Sequence, residues 1–362
     1  MRIGFDAKRA FHNLAGLGNY SRSIIKGIGK YYPGTERVLF TPFMKEALHL
    51  KDENAQIITG RGSLWRSFGI KNDIAESSVD MFHGLSNELP FGIDKIKIPS
   101  IVTIHDVLFK RYPRLYPWFD RQVYSYKTAR ACKEADKIIV ISEQTRKDLI
   151  THFDVDHRKI ELKYQSCGEN FQRPMSDSEL ENVKAKYHLP ERYLLTVGSL
   201  EERKNQSVLI KAIHLMKDKP DLTIIGRGSL HKKLLAQAAK YGLEDKVRII
   251  ENVDAADLPA IYRNASVFAY PSIFEGFGIP ILEAIFSEVP VIVGRNSCFP
   301  EVAGPSSLYV DQSSAAEIAS AIESVIDFPE MKKNITESSL KFAEKFRTEK
   351  VIQNLYSLYE SL

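Results

Sequence analysis

The chain has 362 residues, 44% of them hydrophobic and 27% charged, with a net charge of +4. That length and ordinary composition predict two globular domains and exclude a fibrous or disordered chain. The charge is too mild to indicate a nucleic-acid partner. No run of about 18 apolar residues offers a spanning helix. Cys132, Cys167 and Cys298 are too scattered for a metal cage and suggest a reducing, cytoplasmic setting.

In chain order, apolar runs alternate with amphipathic stretches throughout. Met1-Arg2-Ile3-Gly4-Phe5-Asp6 reads as a first strand and not as a signal peptide. Further strands are expected at 38–40, 79–82, 101–104 and 137–141, then at 193–197, 222–225, 247–250, 267–269 and 291–293. Helical patterns fall between them, for example at 20–30, 206–217, 230–241 and 315–326. Such alternation predicts an α/β fold of two Rossmann-like domains, each a parallel sheet with helices on both faces. Ligands bind such sheets at the carboxyl ends of the strands, and with two domains the cleft between them is the natural site. Ser166, Gly168, Asn170 and Pro174 interrupt the pattern, which gives domains 1–170 and 171–345. Residues 331–362 are helical without a further strand, and 346–362 are expected to pack back on the first domain.

Several strand ends in the first half carry candidate chemistry. Gly16-Leu17-Gly18 opens a helix where glycine permits close approach of a ligand, although an ordinary turn explains the pair equally well. His83, in Phe82-His83-Gly84, is weighed as an acceptor contact but not chosen. His105 closes Thr103-Ile104-His105-Asp106, and a histidine there is as often structural as catalytic. Residues 110–133 carry seven basic side chains, with Tyr112, Tyr116, Trp118, Phe119, Tyr124 and Tyr126 interleaved. That mixture suits an anionic membrane surface. A helix with a solvated basic face and an aromatic packing face is commoner, and is the preferred reading. Asp154-Val155-Asp156-His157 contains the Asp-x-Asp of some divalent-cation sites, but its polar connection reads as a surface turn.

The second half is richer. Gly198-Ser199-Leu200-Glu201-Glu202-Arg203-Lys204-Asn205 follows a strand directly, so Arg203 and Lys204 are placed to clamp a diphosphate. Glu201 and Glu202 are candidates to neutralise them locally. Gly226-Arg227-Gly228 ends the next strand but lacks the full dinucleotide fingerprint, which counts against a dehydrogenase. In Phe274-Glu275-Gly276-Phe277-Gly278-Ile279-Pro280-Ile281-Leu282-Glu283, a strand passes through glycines into a helix with proline in its first turn. This geometry aims backbone N–H groups and a positive helix end at an anion, with Glu275 in the mouth of the site. Glu283 shares a polar stripe with Pro280 and Ser287, which faces either water or the cleft.

Together these residues resemble the family 4 retaining glycosyltransferases, and the resemblance spans nearly the whole chain. It includes the Gly16-Leu17-Gly18 loop, Thr103-Ile104-His105-Asp106, Ile141-Ser142-Glu143-Gln144-Thr145-Arg146-Lys147-Asp148-Leu149, the 198–205 loop and the Glu275-x7-Glu283 motif. The resemblance implies the GT-B architecture, with an acceptor-binding first domain and a second domain that binds a nucleoside-diphosphate sugar. It implies catalytic roles for His105, Glu275, Arg203 and Lys204. The donor would also meet Gly16, Gly18, Ser199, Gly226, Val253, Phe277 and Gly278, with Glu283 at the ribose. Glu202 departs from the Pro or Gly often found at its position, which puts that loop's shape in doubt.

By the same resemblance no metal or cofactor is expected, because Arg203, Lys204 and the helix end would neutralise the departing diphosphate. The acceptor would be a glycan or lipid-linked oligosaccharide of bacterial cell-surface polysaccharide synthesis, handled in the cytoplasm or at the inner membrane face. GDP-mannose is the favoured donor, because the Gly198-Ser199-Leu200-Glu201 form resembles mannosyl- and rhamnosyl-type members. UDP-hexoses and dTDP-rhamnose are alternatives. The rival readings are a glycoside hydrolase using Glu275 and Glu283 as acid and base, a nucleotide-sugar epimerase of the same fold, and a non-catalytic two-domain sugar-binding protein.

Overall fold

A computed structural model of the chain describes residues 1–43, 50, 54–60, 62 and 64–362. It divides into two compact units, Met1–Ser166 with Thr348–Leu362, and Cys167–Arg347.

The first unit is built on strands β1 (Arg2–Asp6), β2 (Glu36–Thr41), β3 (Ala55–Thr59), β4 (Met81–Gly84), β5 (Ser100–Ile104), β6 (Lys137–Val140) and β7 (Ile160–Leu162). Their order is β3-β2-β1-β4-β5-β6-β7, with every pairing parallel. Helices cover the sheet, so central strands such as β4 and β5 are buried along their whole length. The expected strands all occur. The edge strands β3 and β7 were not anticipated, because they are only partly buried and lack a long apolar run.

The terminal helix Thr348–Glu360 belongs to this unit. Tyr356 stacks on Tyr32 with ring centroids 3.6 Å apart and bonds the Thr35 hydroxyl at 2.6 Å. A Cβ on Gly27 would lie 2.6 Å from the Ile352 side chain, so glycine lets the helices close. His83 is the other anchor. Its Nδ1 meets the Tyr359 hydroxyl at 2.7 Å and its Nε2 meets Thr103 Oγ1 at 2.8 Å. Burial lowers its pKa to about 3, so it is neutral and structural rather than an acceptor contact.

The basic-aromatic segment folds as short helices Leu108–Arg111 and Pro113–Leu115 followed by the long helix Trp118–Glu134. The preferred aromatic packing face is not what forms. Small residues, Thr128, Ala131 and Cys132, make the buried contact, while Trp118, Phe119 and Tyr126 are 66%, 69% and 61% exposed. Asp156 instead does what a turn residue does, holding Arg158 at 2.7 Å on the surface. No helix among the described residues is long and apolar enough to cross a membrane.

The second unit carries β8 (Tyr193–Val197), β9 (Asp221–Ile225), β10 (Val247–Ile250), β11 (Val267–Tyr270), β12 (Val291–Gly294) and β13 (Leu308–Val310), ordered β10-β9-β8-β11-β12-β13 and all parallel. Chain order reverses between β1 and β4 in one sheet and between β8 and β11 in the other. Such switch points leave a crevice beyond the strand ends.

Candidate active site

In the second unit, the loops following neighbouring strands β8 and β11 form the site. Glu202–Lys204 make one 3-10 turn, closed by Asn205 in the left-handed conformation. Asn205 Nδ2 donates to the Gln312 and Pro271 carbonyls at 2.7 and 3.3 Å, tying the two loops together. Glu202 fits the turn without distortion of its role, since its carboxylate reaches outward to Lys233 at 2.8 Å. A Cβ on Gly226 would lie 1.9 Å from the Gly198 carbonyl oxygen. The glycine therefore has a packing reason, bringing the ends of β8 and β9 together.

Arg203 and Lys204 converge on Glu275. Lys204 Nζ donates to Glu275 Oε1 at 2.6 Å and to Tyr270 Oη at 2.8 Å, while Arg203 Nη1 lies 2.6 Å from Glu275 Oε2. Ser272 and Tyr270 hydroxyls donate to the same Oε1 at 2.6 and 3.0 Å. Local neutralisation by Glu201 and Glu202 is thus largely replaced, with Glu201 remaining 4.0 Å from Arg203. Burial would raise the Glu275 pKa, but the two cations outweigh it and hold the group at about 2. Burial lowers the Lys204 pKa against the pull of Glu275. The cluster keeps one net positive charge in a nearly dry setting, which suits an anion.

Beyond Glu275 the backbone turns through Gly278, at φ +96°, into helix Ile279–Phe286 with Pro280 in its first turn. The Phe277 ring packs into the core against Phe346, so only its backbone faces any ligand role. Cys298 Sγ donates to the Phe277 carbonyl at 2.9 Å, and the Ser297 hydroxyl bonds the Glu275 backbone at 3.0 Å. Glu283 lies half-buried on the helix, accepting from Tyr262 at 2.8 Å. Desolvation raises its pKa to about 7, against the Tyr262 hydrogen bond. The stripe proposed with Ser287 is not a water-facing one, since Ser287 is 2% exposed. Val253 lies in the connection after β10, and Ser199 beside Gly198 holds Gln206 through its carbonyl at 2.9 Å.

The first unit holds the remaining candidates. His105 is 5% exposed, donates from Nε2 to the Leu85 carbonyl at 2.9 Å, and meets the Tyr20 ring edge-on at 4.7 Å. Burial lowers its pKa to about 4, so it is neutral with Nδ1 as its acceptor nitrogen. Its backbone N–H is held by Asn87 Oδ1 at 2.7 Å. Gly16 and Gly18 are in the first turn of helix Gly16–Tyr31. A Cβ on Gly18 would sit 1.7 Å from the Asn13 carbonyl oxygen, whereas nothing lies within 4 Å of one on Gly16. Sequence reasoning missed Tyr270, Ser272 and Tyr262, although Tyr270 ends a strand beside the switch point. No group of three or more His, Cys, Asp or Glu residues arranged for a metal occurs among the described residues.

Comparison with known proteins places the chain in a family. The family model described as Glycosyltransferase Family 4 matches residues 42–164, and the one described as Glycosyl transferases group 1 matches 178–342. O-antigen chain mannosyltransferase B of Escherichia coli is 25% identical, with 100% of both chains covered. The O-antigen chain mannosyltransferase RfbU of Salmonella typhimurium is 29% identical over 63% of this chain and 61% of its own. The solved structure of Anabaena HepE with UDP and glucose shares the fold at TM-score 0.80, with 16% identity and 100% of both chains covered. The chain is a glycosyltransferase of family 4, with the two Rossmann-like units of the GT-B fold.

Proposed function

We propose that the enzyme is a retaining, metal-independent hexosyltransferase that uses GDP-mannose and extends a glycan or lipid-linked oligosaccharide of a bacterial surface polysaccharide. The observation that carries the donor side is the Arg203–Lys204–Glu275 cluster beside the start of helix Ile279–Phe286. In this reading Arg203 and Lys204 receive the diphosphate, with backbone groups around Phe277 and Gly278. Glu275 orders both cations, and its less crowded Oε2 meets a hydroxyl of the donor sugar. Glu283 takes the ribose hydroxyls, and Ser199, Gly226 and Val253 complete the donor contacts of the second unit. The O-antigen mannosyltransferases among the relatives support a mannosyl donor and a polysaccharide acceptor. HepE's UDP makes UDP-hexose the reading to test against it.

Transfer breaks the bond from sugar C1 to the diphosphate oxygen and forms the bond from C1 to the acceptor oxygen. The acceptor proton passes to the departing diphosphate on the same face. Charge growing on that diphosphate is stabilised by Arg203 and Lys204, each well-placed donor contributing ~3 kcal/mol in a dry site. Neutral His105 orients groups near the transferred sugar and carries no charge of its own. With these cations in place no metal is required. The exposed Trp118, Phe119 and Tyr126, set among basic residues, support peripheral contact with an anionic membrane face.

The test is transfer from GDP-mannose, UDP-hexoses and dTDP-rhamnose to a lipid-linked acceptor, with and without chelator. GDP-mannose as the efficient donor, an α-linked product and no effect of chelator support the reading. Near-wild-type transfer by Glu275→Ala would overturn the role given to the cluster.

A further inference from the structure

The first unit buries an unbroken line of polar side chains that runs from the terminal helix to His105. Tyr359, His83, Thr103 and Tyr20 are all at most 4% exposed. Tyr359 Oη meets His83 Nδ1 at 2.7 Å, His83 Nε2 meets Thr103 Oγ1 at 2.8 Å, and Thr103 Oγ1 meets Tyr20 Oη at 3.1 Å. The Tyr20 ring then stands against the His105 ring, with 4.7 Å between centroids and 89° between planes. Neutral His83 has a single N–H, so one of its nitrogens donates and the other accepts. The hydroxyls on its two sides are thereby set in one direction along the line.

Mutual satisfaction of these groups does not explain their presence, because apolar side chains of the same shape fill an interior at little cost. The end of the line supplies a reason. The His105 backbone is fixed on both sides, its N–H by Asn87 Oδ1 at 2.7 Å and its carbonyl by the Thr145 hydroxyl at 3.1 Å. Its ring is held less fully. Nε2 donates to the Leu85 carbonyl at 2.9 Å. That nitrogen lies close to the axis of the Cβ–Cγ bond, and rotation about this bond is soft for histidine. The perpendicular Tyr20 ring adds the missing constraint. It sets the ring plane, and with it the direction of the acceptor Nδ1.

We infer that Tyr359, His83, Thr103 and Tyr20 are positioning residues for His105, through which the docked terminal helix holds the His105 ring plane. The inference rests on the proposed role of His105 near the transferred sugar, and extends it to a buried line of residues behind that ring.

Ring NMR of the full chain labelled with ¹⁵N-histidine tests it, with the His105 signals assigned by their loss in His105→Gln. Tyr359→Phe and Thr103→Val should both shift the His105 ring resonances, although neither residue touches that ring. Thr103→Ser keeps the hydroxyl and should leave them in place. In transfer assays Tyr359→Phe should lower kcat by about tenfold with donor KM unchanged. In a His105→Ala background it should have no further effect, because both changes act through one group. Unmoved His105 resonances in a folded Tyr359→Phe, or losses that add in the double variant, overturn the inference. Its failure is separable from failure of the reading beneath it. Wild-type kcat in His105→Ala sinks the role given to His105, and the ring spectra then decide the positioning line alone.

Discussion

Lys204→Ala removes two contacts at once, the 2.6 Å bond to Glu275 and the 2.8 Å bond to Tyr270. Glu275, 8% exposed in the intact cluster, would keep Arg203 as its one cation at 2.6 Å. Breaking a buried pair by deleting one partner costs about 3–5 kcal/mol. Because Arg203, Ser272 and Tyr270 still hold the carboxylate, the lower end, about 3 kcal/mol, is expected. For a unit of this size each kcal/mol moves Tm by roughly 2–4 °C, so a fall of about 6–12 °C should appear in a thermal melt. The proton balance shifts as well. Glu275, held at about 2, contributes stability above pH ~4.5 that is lost as pH falls through about 2. Without Lys204 the folded pKa rises toward the ordinary carboxylate value, so that loss should be smaller and should finish at higher pH. Chemistry should suffer separately, since one preorganised donor is worth roughly 10²–10³ in kcat. Melts by circular dichroism and initial rates at saturating donor measure both. A folded variant with kcat within about threefold of wild type would refute the electrostatic reasoning, which demands a loss of roughly a hundredfold or more.

Three further outcomes follow from the same geometry. Glu283 has a folded pKa raised to about 7, so its contribution is most favourable below pH ~4.5 and is lost as pH rises through 7. Glu283→Gln should therefore gain on wild type by at most about 3 kcal/mol between pH 5 and pH 8, measured by paired denaturant melts, and should weaken nucleotide binding. Gly226→Ala would drive a Cβ to 1.9 Å from the Gly198 oxygen and should destabilise the second unit, visible as a lower Tm with loss of nucleotide response. Trp118→Ser with Phe119→Ser, both at exposed positions, should leave Tm unchanged and reduce co-sedimentation with anionic vesicles but not with neutral ones.

The central parallel strands were legible because both faces are buried and their sequences are continuously apolar. β3, β7 and β13 were not, since short, half-exposed edges leave no such run. Arg203, Lys204 and Glu275 were found through their positions at strand ends. Their mutual pairing was not, because adjacent Glu201 and Glu202 looked like the partners, and only the β8–β11 pairing brings Glu275 across. His83 and His105 both close strands and look alike in sequence. Packing separates them, since the terminal helix, more than 260 positions away, places Tyr359 on His83. The exposed aromatic side of helix Trp118–Glu134 was hidden for a related reason. A face made of Thr128, Ala131 and Cys132 is weakly apolar, yet small enough to pack closely.

The central claim is that the second unit grips a nucleoside diphosphate through Arg203 and Lys204 without a metal. A thermal-shift titration of the full chain with GDP, UDP and dTDP in chelator tests it most directly. At about 100 times Kd, binding stabilises by about 2.7 kcal/mol, a rise of roughly 5–10 °C. GDP should give this rise in chelator, and Lys204→Ala should lose it. A response that requires added magnesium, or that persists undiminished in Lys204→Ala, would contradict it.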